Sequence, residues 1–290
     1  MKYVMDIIRG IFIGVANVIP GVSGGTMAVS LGVYDRLISS LTGLFKNIKK
    51  SLATLIPLFI GMAVGIVGFA FLIEYLFAKF PLATCLTFTG LILGGLPILI
   101  AALKKELKKE ENTKIQAKHI IAFFALFVFG IGMSLIGGEG AAVNLSQINI
   151  VGFILLFIIG IITSATMVVP GVSGSMVLMI LGYYHSIIHV ITDFITALKE
   201  FNINGLMQGI VVLLPFGIGV LIGIFLIAKL IEFLFHHYAA LTYSAILGLI
   251  LSSPFAIFIN MGAVPIRIGE IVIGVALFAG GAILTWKIGE

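Results

Sequence analysis

The chain has 290 residues, 60% of them hydrophobic and only 10% charged, with a mean hydropathy of +1.25. A water-soluble domain carries about 25% charged residues, so the composition excludes one and points to a polytopic membrane protein. The net charge of +5 comes from scattered lysines without interleaved aromatics, which argues against a nucleic-acid face, and the single cysteine, Cys85, can form no internal disulfide.

Apolar runs of span length recur from end to end. Residues 3–18 and 24–44 flank a first interruption, Val18-Ile19-Pro20-Gly21-Val22-Ser23-Gly24-Gly25. Proline removes a backbone donor and clashes with the preceding turn. In hydrocarbon, non-helical backbone persists only where protein buries it or where it lines a wet cavity. Lys2 and Arg9 precede the first run in the manner of a signal peptide, but no small-residue cleavage site follows, so the segment is expected in the mature protein. A basic turn with Lys46, Lys49 and Lys50 comes next, and residues 52–78 and 82–103 read as spanning helices. Residues 104–118 are a solvated loop with six lysines and three glutamates. Residues 119–136 span again and end at Gly137-Gly138-Glu139-Gly140.

The second half replays the first. Residues 150–169 and 174–198 flank Val168-Val169-Pro170-Gly171-Val172-Ser173-Gly174-Ser175, and residues 207–235, 239–260 and 266–287 are three further spans. A shift of 150 lays Pro20, Gly21, Ser23, Gly24, Gly32 and Tyr34 on Pro170, Gly171, Ser173, Gly174, Gly182 and Tyr184. A shift of 158 lays Pro57, Gly61, Gly65, Glu74 and Gly90 on Pro215, Gly219, Gly223, Glu232 and Gly248. Apolar composition alone aligns leucines, not prolines, glycines and glutamates, so the chain is an internal duplication.

Orientation follows from the positive-inside rule. If each broken segment enters and leaves on one side, Lys2, Arg9, Lys46, Lys49, Lys50, the lysines from Lys104 to Lys118 and Lys287 share the cytoplasm, twelve of the 17 basic residues. Each half then crosses three times, and an odd number inverts the second half. The expected fold is an all-α polytopic membrane protein of two inverted repeats, each a re-entrant broken-helix hairpin plus three transmembrane helices. The first repeat is 1–136 with its hairpin at 3–44; the second is 150–290 with its hairpin at 150–198; together they form one integrated membrane domain with both termini cytoplasmic.

Matching breaks in two halves mark a transporter's binding site. Ser23, Gly24, Gly25 and Thr26, and likewise Ser173, Gly174 and Ser175, would begin a helix. Unpaired N–H groups and the positive dipole end there attract anions, and serine and threonine cap helix starts. The competing reading is that small residues simply let helices pack closely. Arg9 and Arg36 flank the first break and suit a phosphate or carboxylate, unless they reach out to lipid headgroups. Charges inside the membrane are costly and usually functional, which singles out Glu74 and Glu232 at equivalent positions. Lys229 precedes Glu232 by three residues, close enough to pair on one helix face, and Glu139 sits in a glycine-rich turn suited to gating or to nothing more than a surface loop. His185 and His189 have metal-ligand spacing but no third ligand, so neither metal nor cofactor is expected. Gly61/Gly65 and Gly219/Gly223 read as packing seams.

The motif Pro20-Gly21-Val22-Ser23-Gly24-Gly25-Thr26, repeated as Pro170-Gly171-Val172-Ser173-Gly174-Ser175, resembles the PopT-type family of bacterial membrane proteins over essentially the whole chain. That resemblance implies an undecaprenyl-phosphate translocase of the bacterial cytoplasmic membrane, returning the lipid carrier from the outer to the inner leaflet for peptidoglycan and other envelope polymers. The residues by themselves imply only an anion-handling transporter. Three readings stand: a flippase for undecaprenyl phosphate or a similar anionic lipid, coupled to protons; a channel or exchanger for small anions; and a membrane-embedded lipid phosphatase. The last is disfavoured because neither break contains histidine or arginine for phosphoryl chemistry. Membrane lipids are expected partners, nucleic acid is not, and a homo-oligomer is compatible with the sequence.

Overall fold

The computed structural model describes residues 2–18, 23–109, 114–136, 143, 145, 149–262 and 267–289. Among them are thirteen helices and no strand: α1 Lys2–Val18, α2 Gly24–Ser30, α3 Tyr34–Thr42, α4 Ile48–Lys79, α5 Pro81–Leu93, α6 Leu96–Leu107, α7 Ala117–Leu135, α8 Ile150–Val168, α9 Gly174–Ile180, α10 Tyr184–Lys199, α11 Ile203–His237, α12 Ala239–Met261 and α13 Ile268–Gly289. Among the described residues six stretches are long and apolar enough to cross a membrane: Ile48–Phe69 in α4, Pro81–Leu107 through α5 and α6, then α7, α11, α12 and α13. They coincide with the six spans read from the sequence. Their surfaces suit lipid, since Val67, Ile121 and Leu221 are 76%, 67% and 70% exposed while Ser252 and Ser253 are fully buried.

The second arm of each hairpin corrects the sequence reading. Residues 24–44 and 174–198 are not continuous helical runs, because each stops again at a Leu-Gly pair. Gly32 and Gly182 take φ values of 67° and 77°, in the left-handed region that glycine enters without penalty. Around Gly32 the Val33 N–H donates to the Ala28 carbonyl (3.0 Å) and the Gly32 N–H to the Val29 carbonyl (3.0 Å). The same two bonds recur at Tyr183–Leu178 and Gly182–Met179, both 2.9 Å. This is the Schellman closure of a helix end. It bends α9 and α10 by 108°. Apolar composition conceals such a stop because leucine and glycine suit the membrane interior either way.

The chain divides into two compact units. The first comprises Met1–Leu135, Val169–Val172 and Ala228–Glu290, and the second Ile136–Val168 and Ser173–Ile227. In the first unit α1 lies against α4, α5 against α13 and α7 against α12, and every residue of α2 is buried. In the second, Ile159, Leu178 and Ile187 form a small core with Phe216, Tyr183 and Tyr184 against it.

Glycines set these approaches, and they do so twice. In the first unit a Cβ on Gly10, Gly61 or Gly65 would run into the carbonyl oxygen of Leu58, Ile7 or Ile11. In the second unit a Cβ on Gly160, Gly219 or Gly223 would run into that of Phe216, Phe157 or Ile161. Each member of the second set is the shifted counterpart of one in the first, so the duplication extends to packing between main chains. Without a hydrophobic force between helices in lipid, this contact is what holds such pairs together. Gly61→Ile and Gly219→Ile are each expected to destabilise by about 1–3 kcal/mol through forced separation, read as a lowered Tm in detergent. Gly217→Ala, where nothing lies within 4 Å of a Cβ, should leave Tm nearly unchanged.

Candidate functional site

Asn17, one residue before α1 ends, turns its Oδ1 back to accept the Gly24 N–H at 3.1 Å. Pro20, Gly21 and Val22 lie outside the described residues. Ser23 is extended at φ −106°, ψ 143° and caps α2, its Oγ accepting the Thr26 N–H at 3.1 Å. The Ser23 and Thr26 hydroxyls stand 3.2 Å apart and are 4% and 0% exposed as residues. The partner they share comes from the other half of the chain. Gly171 N–H donates to Thr26 Oγ1 at 2.6 Å and to Ser23 Oγ at 3.2 Å. Gly171 adopts φ 81°, and its backbone packs on Leu249 of α12. The two breaks therefore meet: the second lodges an amide on the hydroxyls that start α2.

The start of α9 differs, and the sequence says why. The counterpart of Thr26 is Met176 and that of Asn17 is Met167, so neither bonding partner is present. Ser173 is extended without a side-chain cap bond; its Oγ lies 2.9 Å from the Ser175 hydroxyl, and Ser175 is exposed. One break is sealed by its own hydroxyls while the other keeps a hydroxyl pair accessible.

Arg9 and Arg36 are brought together, but not at the break. Both hold Asp6, a residue the sequence reading passed over. Arg36 Nη1 and Nη2 donate to Asp6 Oδ1 and Oδ2 at 3.1 and 2.8 Å, and Arg9 Nη1 lies 3.8 Å from Oδ1. Arg9 Nη2 also donates to the Ile288 carbonyl near the end of α13 at 2.7 Å. Nine residues of helix separate Arg9 from Val18, about 13 Å along the axis, so the cluster sits at the base of the hairpin rather than its tip. The Asp6–Arg9 spacing of three, inside an apolar run, was the available signal.

Glu232 of α11 lines a cavity of about 470 Å³ with Asp35, Glu106, Lys109, His236 and Tyr243. Tyr243 Oη donates to Asp35 Oδ2 at 2.9 Å, and Lys109 pairs with Glu106 at 2.6 Å. Lys229 lies one turn before Glu232 on the same helix. The side chain of Glu74 and all of Glu139 lie outside the described residues.

A family model described as VCA0040-like, undecaprenyl phosphate translocase-like, matches residues 13–267. A polyprenyl-phosphate transporter of Staphylococcus aureus is 30% identical over 291 residues, covering 99% of this chain and 96% of that one. A polyprenyl-phosphate transporter of Vibrio cholerae is 28% identical over 269 residues, covering 87% of this chain and 77% of that one. No solved structure matches the chain. With its broken helices, its six apolar spans and this match over most of its length, the chain belongs to the VCA0040-like, undecaprenyl phosphate translocase-like family.

Proposed function

We propose that this protein is a flippase for undecaprenyl phosphate, moving it from the outer to the inner leaflet of the bacterial cytoplasmic membrane for reuse in envelope synthesis. The family description and the names of both relatives support the cargo. The observation that carries the mechanism is the Gly171 amide lodged on Ser23 and Thr26. A phosphate oxygen accepts from the same N–H and from both hydroxyls, so an arriving headgroup exchanges one set of bonds for another and opens the contact. Gly24 and Gly25 leave room for close approach. The second unit, taken by itself, offers hydroxyls and bare backbone of the same kind at Ser173, Gly174 and Ser175.

The halves 1–136 and 150–290 act as inverted repeats with both termini cytoplasmic; the lysine distribution and the matched glycine seams support this. An anionic headgroup moving toward a negative interior works against about 2.3 kcal/mol per charge per 100 mV. Protons carried inward offset that, with Glu232 beside His236 as carrier, Glu74 and Glu139 as further candidates and Lys229 tuning its neighbour. The test is leaflet-resolved transport in proteoliposomes. Ser23→Leu with Ser173→Leu is expected to slow undecaprenyl phosphate about a hundredfold, from two charge-assisted bonds at about 1.5 kcal/mol each. Unchanged transport overturns this site. Chloride flux without any lipid phosphate favours the channel reading, and phosphate released from undecaprenyl diphosphate favours an enzyme.

A further inference from the structure

A cavity of about 410 Å³, separate from the breaks, opens between α3 and the first turns of α4. Arg36, Lys46 and Lys50 line it together with Asn47, Ser51 and Thr54, and no carboxylate among the described residues does. The charge is not cancelled from behind. Asp6 reaches Arg36, but it is shared with Arg9, so two guanidiniums divide one carboxylate. Lys46 and Lys50 enter none of the ion pairs of the described residues. Three cations around one concavity need a ligand with more than one negative charge and several acceptor atoms. A phosphate monoester has both, with close to two charges at neutral pH and three acceptor oxygens. Lysine binds such a group as a point charge, while the outer edge of an anchored arginine adds direction. Hydroxyls on the wall suit the remaining oxygens.

We propose that this cavity is a phosphate-monoester site, a docking station for a headgroup at the basic turn, distinct from the breaks. That the headgroup is a lipid's, rather than free phosphate, rests on the function proposed above.

Cys85 is buried and so poorly reactive, which makes an introduced thiol a local reporter. Ser40 lines the cavity. In full-length protein reconstituted in phosphatidylcholine nanodiscs, labelling of Ser40→Cys by a charged maleimide is expected to slow about tenfold with farnesyl phosphate at about ten times its Kd, where about nine-tenths of the sites are filled. Lys46→Gln with Lys50→Gln should abolish the protection. Lys49→Gln should retain it, because Lys49 shares the turn and its charge but does not line the cavity. Inorganic phosphate is the second arm. Stronger protection by farnesyl phosphate assigns a lipid headgroup, and equal protection assigns free phosphate; either supports the site. No protection by either compound, or equal loss in Lys49→Gln, overturns it. Labelling reads equilibrium occupancy and not transport, so this site and the break-centred mechanism fail separately.

Discussion

Gly171→Ala is expected to lower both stability and transport, because it adds a strained conformation to a clash and breaks the contact between the two breaks. Alanine at φ 81° is held in the left-handed region, at about 1–2 kcal/mol. Its Cβ would stand 2.8 Å from Leu249 Cβ and 2.9 Å from the Leu249 carbonyl oxygen. Those atoms belong to a buried helix and cannot swing away as a side-chain end would. Relief requires moving residue 171 itself, and its N–H supplies the bonds to Thr26 and Ser23. Two buried hydroxyls would then lose their shared donor, at about 1–3 kcal/mol. Together these terms predict a loss of about 2–5 kcal/mol, measured as a fall in Tm, with loss of transport in proteoliposomes. Thr26→Val separates the contributions. It removes the 2.6 Å acceptor and leaves the glycine's conformation untouched, so it should show the smaller part of the stability loss. If Gly171→Ala melts and transports like the parent, the contact between the breaks is not what organises this protein.

The sequence carried the helical scaffold well because each span is long, apolar and bounded by charge or glycine. It carried the two breaks because proline and clustered small residues have few other uses inside an apolar run. Their meeting was legible only as geometry: nothing in the spacing of Ser23 and Gly171 says that one caps the other. The second stops, at Gly32 and Gly182, stood in the repeat alignment but read as matched residues, since a single glycine in a membrane helix more often marks packing than an end. Arg9 and Arg36 stood out as charges in apolar surroundings, a cue to cost but not to partner. Their partner, Asp6, stands three residues before Arg9, a spacing visible in the letters, but 30 residues from Arg36, and contacts at that separation have no local signature. The asymmetry between Thr26 and Met176 was visible in the letters; its meaning, one sealed break and one open, depends on hydrogen bonds.

The duplication itself provides the strongest test of the Asp6 cluster. At the positions where the first half has Asp6, Arg9 and Arg36, the second half has Leu156, Ile159 and Ser186. Leu156 and Ile159 are buried at 1% and 7% exposure, so the same helix position is served by an apolar pair. Asp6→Leu alone strips the carboxylate from two arginines, one of them already carrying a buried Nε with no partner among the described residues. Removing one member of a fully buried charge group costs about 3–5 kcal/mol. Here Asp6 is buried but Arg9 and Arg36 are 16% and 37% exposed, so solvent screens the charges left behind and the cost is smaller. Asp6→Leu, Arg9→Ile and Arg36→Ser together carry the second half's solution into the first, and replacing a whole buried ion group by apolar residues is often neutral. The expected result is therefore non-additive: the single variant melts below the parent, and the triple variant recovers at least half of the loss. Recovery of stability should come without recovery of phosphate protection at Ser40→Cys, because the triple variant has discarded Arg36 from the basic cavity. A triple variant less stable than the single one would mean that the cluster is required by the packing of α1 itself. A triple variant that is stable and still protected would mean that the lysines alone hold the anion. Stability regained with protection lost is the outcome that makes the charged base of the first hairpin a device for function, kept in one half of the duplication and absent from the other.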